Sequence, residues 1–259
     1  MERYSRNRIY ISDEEQERIK HVRILLGGAG IGSIIAECAL RFGFENITIV
    51  DGDKVEESNL NRQNYVKTDI GKYKAETLCK RLLKINPDAE IKAINTFIIQ
   101  ENVREIISGH HIAINALDFK DRMPFEFDRI CSEELIPVLH PYNFGWAGFL
   151  TIVKPKGYQL SEISPKPNGF ELKVAEYVSR YGTFWNMPVP CGNRGFATSS
   201  TFHSFLDCSR TLCERHVQPL DWAKSQILSQ FLFFVPNVRK RFLIATCNWS
   251  HKRELPQCS

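Results

Sequence analysis

Apolar positions along this chain recur with two different periods. Runs at residues 22–26, 46–50 and 112–117 are largely apolar and β-branched, which predicts strands buried on both faces. Residues 90–95, 137–140 and 149–153 predict three more strands, the last antiparallel to its predecessor through a turn around residues 143–148. Between the strands the period lengthens. Residues 33–42 predict a helix that Gly43 ends, and residues 68–86 a helix carrying Leu78, Leu82 and Ile85 on one side, stopped by Pro87. Residues 101–108 and 124–134 predict two further helices. Near the start, an extended arm leads into a helix with Ser12 as N-cap and Glu15 three positions on, a capping-box pair.

Strands alternating with helices predict an α/β fold: a Rossmann-like, doubly wound, mainly parallel sheet with an antiparallel extension and helices on both faces. Such sheets bind ligands beyond the carboxyl ends of their strands. Past Pro155 the pattern weakens. Residues 154–195 are rich in proline and glycine and predict a long crossover with one short helix at 170–180. Residues 196–216 and 221–234 predict two more helices, and 239–247 a last strand. The expected organisation is an N-terminal arm and nucleotide-binding core over 1–153, then a crossover and C-terminal helices over 154–259 in the same compact domain.

Composition narrows the function. The 34 basic residues nearly balance the 30 acidic ones, which argues against nucleic acid as a partner. No apolar run reaches the roughly 18 residues of a membrane span, and the charged start lacks the apolar core of a signal peptide, so the expected compartment is the cytoplasm. None of the eight cysteines forms a Cys-x-x-Cys pair, and the Cys208/Cys213 spacing is too loose for a zinc knuckle, so reduced thiols and no zinc are expected.

The candidate chemistry lies between Ile24 and Lys74. The run ILLGGAGIGS carries a strand into a glycine turn, where unpaired helix N–H groups favour phosphate. Read on Gly27 and Gly32, the G-x-G-x-x-G pattern has Ala29 at its centre; read on Gly28 and Gly30, it lacks the third glycine. Asp51 follows the second strand directly, 19 residues after Gly32, where an acid meets a ribose hydroxyl; Asp53 is its rival. Asn59, Arg62 and Lys74 supply an amide and two cations suited to a triphosphate. On spacing alone, a solvated helix start accounts for these three better. Asp118 ends the fourth strand. His110 and His111 read as a loop pair, and His140 as a packing or hydrogen-bonding residue near the presumed pocket.

The run RYSR at 3–6, the glycine turn, VDGDKVEESNLNRQ, IGKYK, INP at 85–87 and LD at 117–118 resemble the ThiF/MoeB/HesA family of adenylating enzymes, which includes the ubiquitin-activating enzymes. The resemblance covers roughly residues 3–153 and implies attack of a carboxylate on the α-phosphate of ATP, giving an acyl-adenylate and pyrophosphate. It implies that Gly28, Gly30 and Gly32 cradle the nucleotide, that Asp51 binds the ribose, that Asn59, Arg62 and Lys74 hold the phosphates, and that Asp118 ligates Mg2+. It also implies a homodimer in which Arg6 reaches the partner's nucleotide. Cys191, in NMPVPCGNRG, lies in the crossover where ubiquitin-activating relatives carry a thioester cysteine; a buried inert thiol is the other reading. The chain departs from the family at Ala29, at Phe119 directly after Asp118, at Arg122 four rather than five positions on, and in lacking zinc-binding cysteine pairs.

The acceptor implied is a ubiquitin-like or sulfur-carrier protein or a peptide. Within the family the alternative is a tRNA threonylcarbamoyladenosine-modifying enzyme, whose relatives usually carry Thr-Asn where this chain has Ser58-Asn59. A NAD-dependent oxidoreductase would share the glycine turn and the strand-end acid, but gives no reason for Asn59, Arg62 and Lys74. A non-catalytic partner subunit would have no need of Asp51, Arg62, Lys74 and Asp118 together.

Overall fold

The computed structural model describes residues 3–9, 11–143, 148–179 and 243–244. The expected helices at 196–216 and 221–234, and Cys191, lie outside the described residues. Seven strands form one sheet: β1 (Arg23–Gly27), β2 (Asn46–Val50), β3 (Glu90–Ile94), β4 (Ile112–Asn115), β5 (Val138–Asn143), β6 (Gly148–Val153) and β7 (Leu243–Ile244). Their order is β3-β2-β1-β4-β5-β6-β7, parallel at every pairing except the antiparallel β5–β6 pair. Chain order reverses between β1 and β4, the topological switch point at which such sheets bind ligands.

Period-2 alternation in β1 sorts its side chains onto the two faces. Ile24 and Leu26 pack with Ile47 and Ile49 under helices α2 (Gly32–Phe42) and α3 (Lys74–Ile85). Leu25 points the other way, with Val50 and Ala113, under α4 (Val103–Ile107) and α5 (Met123–Glu133). Two apolar layers therefore clamp one sheet, as the near-continuous strand hydrophobicity requires.

Helix ends follow local chemistry. Ser12 and Glu15 form the expected capping box at the start of α1 (Asp13–Lys20). Gly43 ends α2 in the left-handed region at φ 118°. The helix expected over 68–86 is shorter than its periodicity suggests: α3 begins only at Lys74. Residues Lys67–Asp69 form a 3-10 turn, Gly71 takes φ 83°, and Tyr73 bridges to Lys54, so the segment before Lys74 is pinned to the chain after β2. That pinning sets Lys74 beside the second strand's end. Beyond β6, the short helix α6 (Leu160–Ile163) precedes α7 (Phe170–Ser179). Among the described residues no helix is long and apolar enough to cross a membrane.

The N-terminal arm is tied to the amino end of the sheet. The Tyr4 hydroxyl donates to Glu45 at 2.7 Å, and Asn7 donates to the Phe42 carbonyl at 2.8 Å. Arg3 bonds Asn86 beyond the end of α3. Burial and the Glu45 carboxylate push the Tyr4 hydroxyl up to about 12.

Candidate active site

The glycine turn is gripped by the two strands beside it. The Gly28 N–H donates to the Val50 carbonyl at 2.9 Å, and the Ala116 N–H donates to the Gly27 carbonyl at 2.8 Å. Gly28 has φ 93°, and a Cβ there would stand 2.5 Å from the Ala116 carbonyl oxygen, so only glycine fits. At Gly32 a Cβ would collide with Leu26 at 2.7 Å, which lets α2 lie close against β1. Gly30 differs. Its φ is unexceptional, and a Cβ would meet nothing nearer than Gln63 Nε2 at 3.4 Å. Packing leaves this glycine unexplained, and open room beside a helix start is what an approaching phosphate needs. Ile31, which precedes α2, gives no side-chain cap.

Asp51 closes the turn. Its Oδ2 accepts the Ala29 N–H at 2.6 Å and its Oδ1 accepts the Asp53 N–H at 2.7 Å. Burial pushes this carboxyl above its ordinary range; the two N–H groups and the charge of Lys74 pull it back only in part. Each carboxylate oxygen keeps a second lone-pair direction for a hydroxyl donor. Asp53, the rival, instead pairs with Lys74, whose Nζ lies 3.0 Å from Asp53 Oδ2. The Lys74 side chain is 8% exposed and the Asp53 side chain 55%, so a buried cation is matched by an acid open to solvent.

Asn59 and Arg62 occupy the loop after β2. Asn59 is buried, and its Oδ1 accepts the Glu56 N–H at 3.0 Å, while Nδ2 stands 3.5 Å from Ser58 Oγ. Exposed Arg62 is folded onto its own loop, donating to the Ser58 carbonyl at 2.7 Å and to Asn61 Oδ1 at 3.0 Å. The loop is laced to the glycine turn: Ser33 Oγ donates to the Gly30 carbonyl at 2.7 Å and accepts the Asn64 N–H at 3.0 Å.

Tyr65, which sequence reasoning passed over, completes that lacing. Its buried hydroxyl donates to the Ala29 carbonyl at 2.8 Å. Ala29 is therefore held on its N–H by Asp51 and on its carbonyl by Tyr65, at the position where the dinucleotide pattern has its middle glycine. Tyr65 sits among mostly polar residues in the sequence, and nothing local signals a bond across 36 residues. Tyr65→Phe is expected to weaken binding of ATP, the nucleotide that the family resemblance implies, by about fivefold, the size of one neutral hydrogen bond, as read by isothermal titration calorimetry.

Asp118 stands on the loop after β4. Its side chain is 73% exposed and pairs with Lys120, Nζ to Oδ2, at 2.9 Å, a hydrogen bond that raises the Lys120 pKa. Because β4 abuts the glycine turn at Gly27↔Asn115, Asp118 opens on the same end of the sheet as Asp51 and Lys74. Next to it Phe119 stacks on Phe170 at 4.5 Å between ring centroids, and Arg122 donates to the Pro165 carbonyl at 2.9 Å. The crossover is thereby moored beside Asp118. On the other side of the site the Phe97 ring, 60% exposed, lies over Gly52, where a Cβ would be 2.6 Å from it.

Thus Gly28, Gly30, Gly32, Asp51, Lys74 and Asp118 gather at the carboxyl ends of β1, β2 and β4, and the Asn59–Arg62 loop joins them through Asn64 and Tyr65. Arg6 does not. It sits exposed on the turn Ser5–Ile9, on the arm fixed to the opposite end of the sheet. His110 bonds Thr48 Oγ1 at 3.0 Å, away from this end, and burial lowers its pKa. His140 is buried against Asp128 at 2.8 Å, a hydrogen-bonding role. Burial raises the thiol pKa of Cys38, Cys79 and Cys131, so none of these three is an activated thiol.

Fold and site together define a doubly wound α/β protein whose glycine turn, at the sheet's switch point, gathers a strand-end acid, a buried lysine and an exposed aspartate on the loop after β4. The model of the ThiF family matches residues 4–183, and the chain belongs to that family. It is similar to the SAMP-activating enzyme E1 of Haloferax volcanii, 30% identical over 61% of this chain and 59% of that protein. It is 33% identical to the sulfur carrier protein ThiS adenylyltransferase of Bacillus subtilis, over 59% of this chain and 47% of that one. The crystal structure of the E. coli tRNA N6-threonylcarbamoyladenosine dehydratase in complex with AMP is similar at a TM-score of 0.51 and 29% identity, over 54% of this chain and 57% of that one. The chain spans about half to three fifths of the length of these relatives.

Proposed function

We propose that this chain is an ATP-dependent adenylyltransferase of the type that activates ubiquitin-like modifiers. The observation that carries the reading is the convergence of Asp51, Lys74 and Asp118 on the glycine turn at the sheet's switch point. An acceptor carboxylate attacks the α-phosphate of ATP. A new P–O bond forms, the bond to the bridging oxygen of the β-phosphate breaks, and pyrophosphate leaves. Asp51 accepts the ribose hydroxyls, and the Phe97 face walls the base. Lys74 turns from Asp53, and Arg62 from the Ser58 carbonyl, onto the phosphates, with Asn59 beside them. Arg6 serves the site of a second copy in a homodimer.

Magnesium is commonly held by one or two carboxylates plus substrate phosphates and water, and the single exposed carboxylate of Asp118 on the loop after β4 fits that donor set. When bound there, Mg2+ neutralises charge on the phosphate oxygens. Preorganised cations from the chain do the same work without reorganising in the transition state.

The acceptor is a small ubiquitin-like or sulfur-carrier protein or a peptide, a reading supported by the names of the adenylating relatives. Residues 154–259 are its recognition region, supported by the mooring of residues 165 and 170 beside Asp118. The second reading is activation of threonylcarbamoyladenosine in tRNA, favoured by the likeness to the AMP-bound dehydratase. Following ATP–pyrophosphate exchange with ATP and Mg2+ separates them. Exchange that appears only with a carrier protein or peptide supports the first reading, and exchange only with modified tRNA the second. Tight NAD binding with no ATP binding overturns both.

A further inference from the structure

Between β4, β5 and α5 lies a polar chain that the proposed chemistry does not use. Asn115 Nδ2 donates to Asp128 Oδ1 at 3.0 Å and to the Pro124 carbonyl at 2.9 Å, while Asn115 Oδ1 accepts the Leu117 N–H at 3.3 Å. His140 Nε2 faces the same Asp128 Oδ1 at 2.8 Å. The His140 and Asp128 side chains are 1% and 2% exposed, and among the described residues Asp128 Oδ2 has no hydrogen-bond partner. Burying a carboxylate and an imidazole is expensive, and packed apolar residues would hold these elements together as well. The chain of bonds has a direction. It starts on β5, crosses α5, and ends at Asn115, which pairs with Gly27 and holds the N–H of Leu117, the residue immediately before Asp118.

We propose that Asp128 and His140 are positioning residues for the loop that carries Asp118, acting on it through Asn115; this rests on the adenylation reading. His140 fixes Asp128 Oδ1 from one side, and Oδ1 fixes the Asn115 amide from the other. The amide's remaining oxygen then sets the N–H of Leu117, and with it the course of the loop that presents the Asp118 carboxylate. Neither Asp128 nor His140 reaches the nucleotide.

The test is nucleotide binding by the full chain, with fluorescent ATP titrated in the absence and presence of Mn2+, and bound Mn2+ counted by electron paramagnetic resonance. In the wild type Mn2+ tightens ATP binding. Asp128→Leu is expected to keep metal-free ATP affinity within about twofold and to lose about tenfold of the tightening, the size of one hydrogen bond to a charged group. Asp128→Asn keeps an acceptor oxygen at the Oδ1 position and is expected to retain the tightening within about threefold, since an amide oxygen still serves both donors. Equal loss with and without Mn2+, or no loss in Asp128→Leu, overturns the proposal while leaving the site reading intact. No Mn2+-dependent tightening in the wild type overturns the site reading, and the proposal with it. If Asp128→Leu does not fold, His140→Phe decides. Its ring keeps the stacking against Tyr142 and loses the nitrogen: selective loss of Mn2+ tightening supports the proposal, and unchanged tightening overturns it.

Discussion

Asp118→Ala is expected to lower acceptor-dependent ATP–pyrophosphate exchange by about 10²- to 10³-fold, the scale on which removing one preorganised charge-stabilising group acts, with the melting temperature unchanged. The two halves of that expectation come from one fact, the exposure of this side chain. At 73% exposed, its ion pair with Lys120 is a surface pair, and such pairs contribute little to folding. Removing the carboxylate leaves no buried group unpaired. In the proposed chemistry, however, this oxygen pair is the protein's hold on the metal, and the attacking carboxylate and the α-phosphate both bring negative charge to that point. A useful contrast is Asp53→Ala. There the partner left behind is Lys74, 8% exposed, so the substitution strands a buried cation and should lower stability as well as activity. Exchange assays and thermal melts on both variants separate a lost ligand from a lost counter-ion. Asp118→Ala exchange at the wild-type rate would remove this carboxylate from the chemistry.

Much of the frame was legible in the chain. The strand at 46–50 and the stop at Gly43 follow from side-chain period and from glycine's access to positive φ, and both are local properties. Where prediction and structure part, a distant contact decides. The pattern of residues 68–86 is amphipathic throughout, yet the helix waits for Lys74, because the Lys54–Tyr73 bridge and Gly71 hold the preceding residues in another course. The candidate site divides the same way. The types and order of Asp51, Lys74 and Asp118 could be read directly. That Asp51 spends two hydrogen bonds on its own backbone, and that Asp53 rather than Asp51 takes Lys74, could not. Tyr65 on Ala29 and His140 on Asp128 are likewise pairs between side chains far apart in sequence, and neither residue carries a local signature of its partner.

For Arg6 the expected result is loss of exchange on the order of 10³-fold in Arg6→Ala, the scale of an arginine supplied to phosphoryl transfer, with recovery when this variant is combined with Lys74→Ala. The geometry of the arm argues for a contribution in trans. Tyr4, Arg3 and Asn7 fasten the arm at Glu45, Asn86 and Phe42, at the amino end of β2 and α3's far end. β2 is five residues long, so its two ends stand about 15 Å apart. The nucleotide turn lies at the other end, with the sheet and α2 between. The Arg6 side chain is exposed, and among the described residues no hydrogen bond or ion pair holds it. An arginine serving its own site would need the arm to detach from three anchors; one serving a neighbour needs no such change. Co-refolding equal amounts of Arg6→Ala and Lys74→Ala chains gives mixed dimers in half the population if exchange is random. Each mixed dimer has one intact site, made of the Lys74 of one copy and the Arg6 of the other, so recovery to about one quarter of the wild-type rate is expected from two-fold symmetry. If Arg6 acted within its own chain, every site in the mixture would carry one of the two defects, and mixing would restore nothing. Size-exclusion chromatography of the same samples shows whether the mixed dimers formed, so a failure to recover in a dimeric mixture counts directly against the shared site.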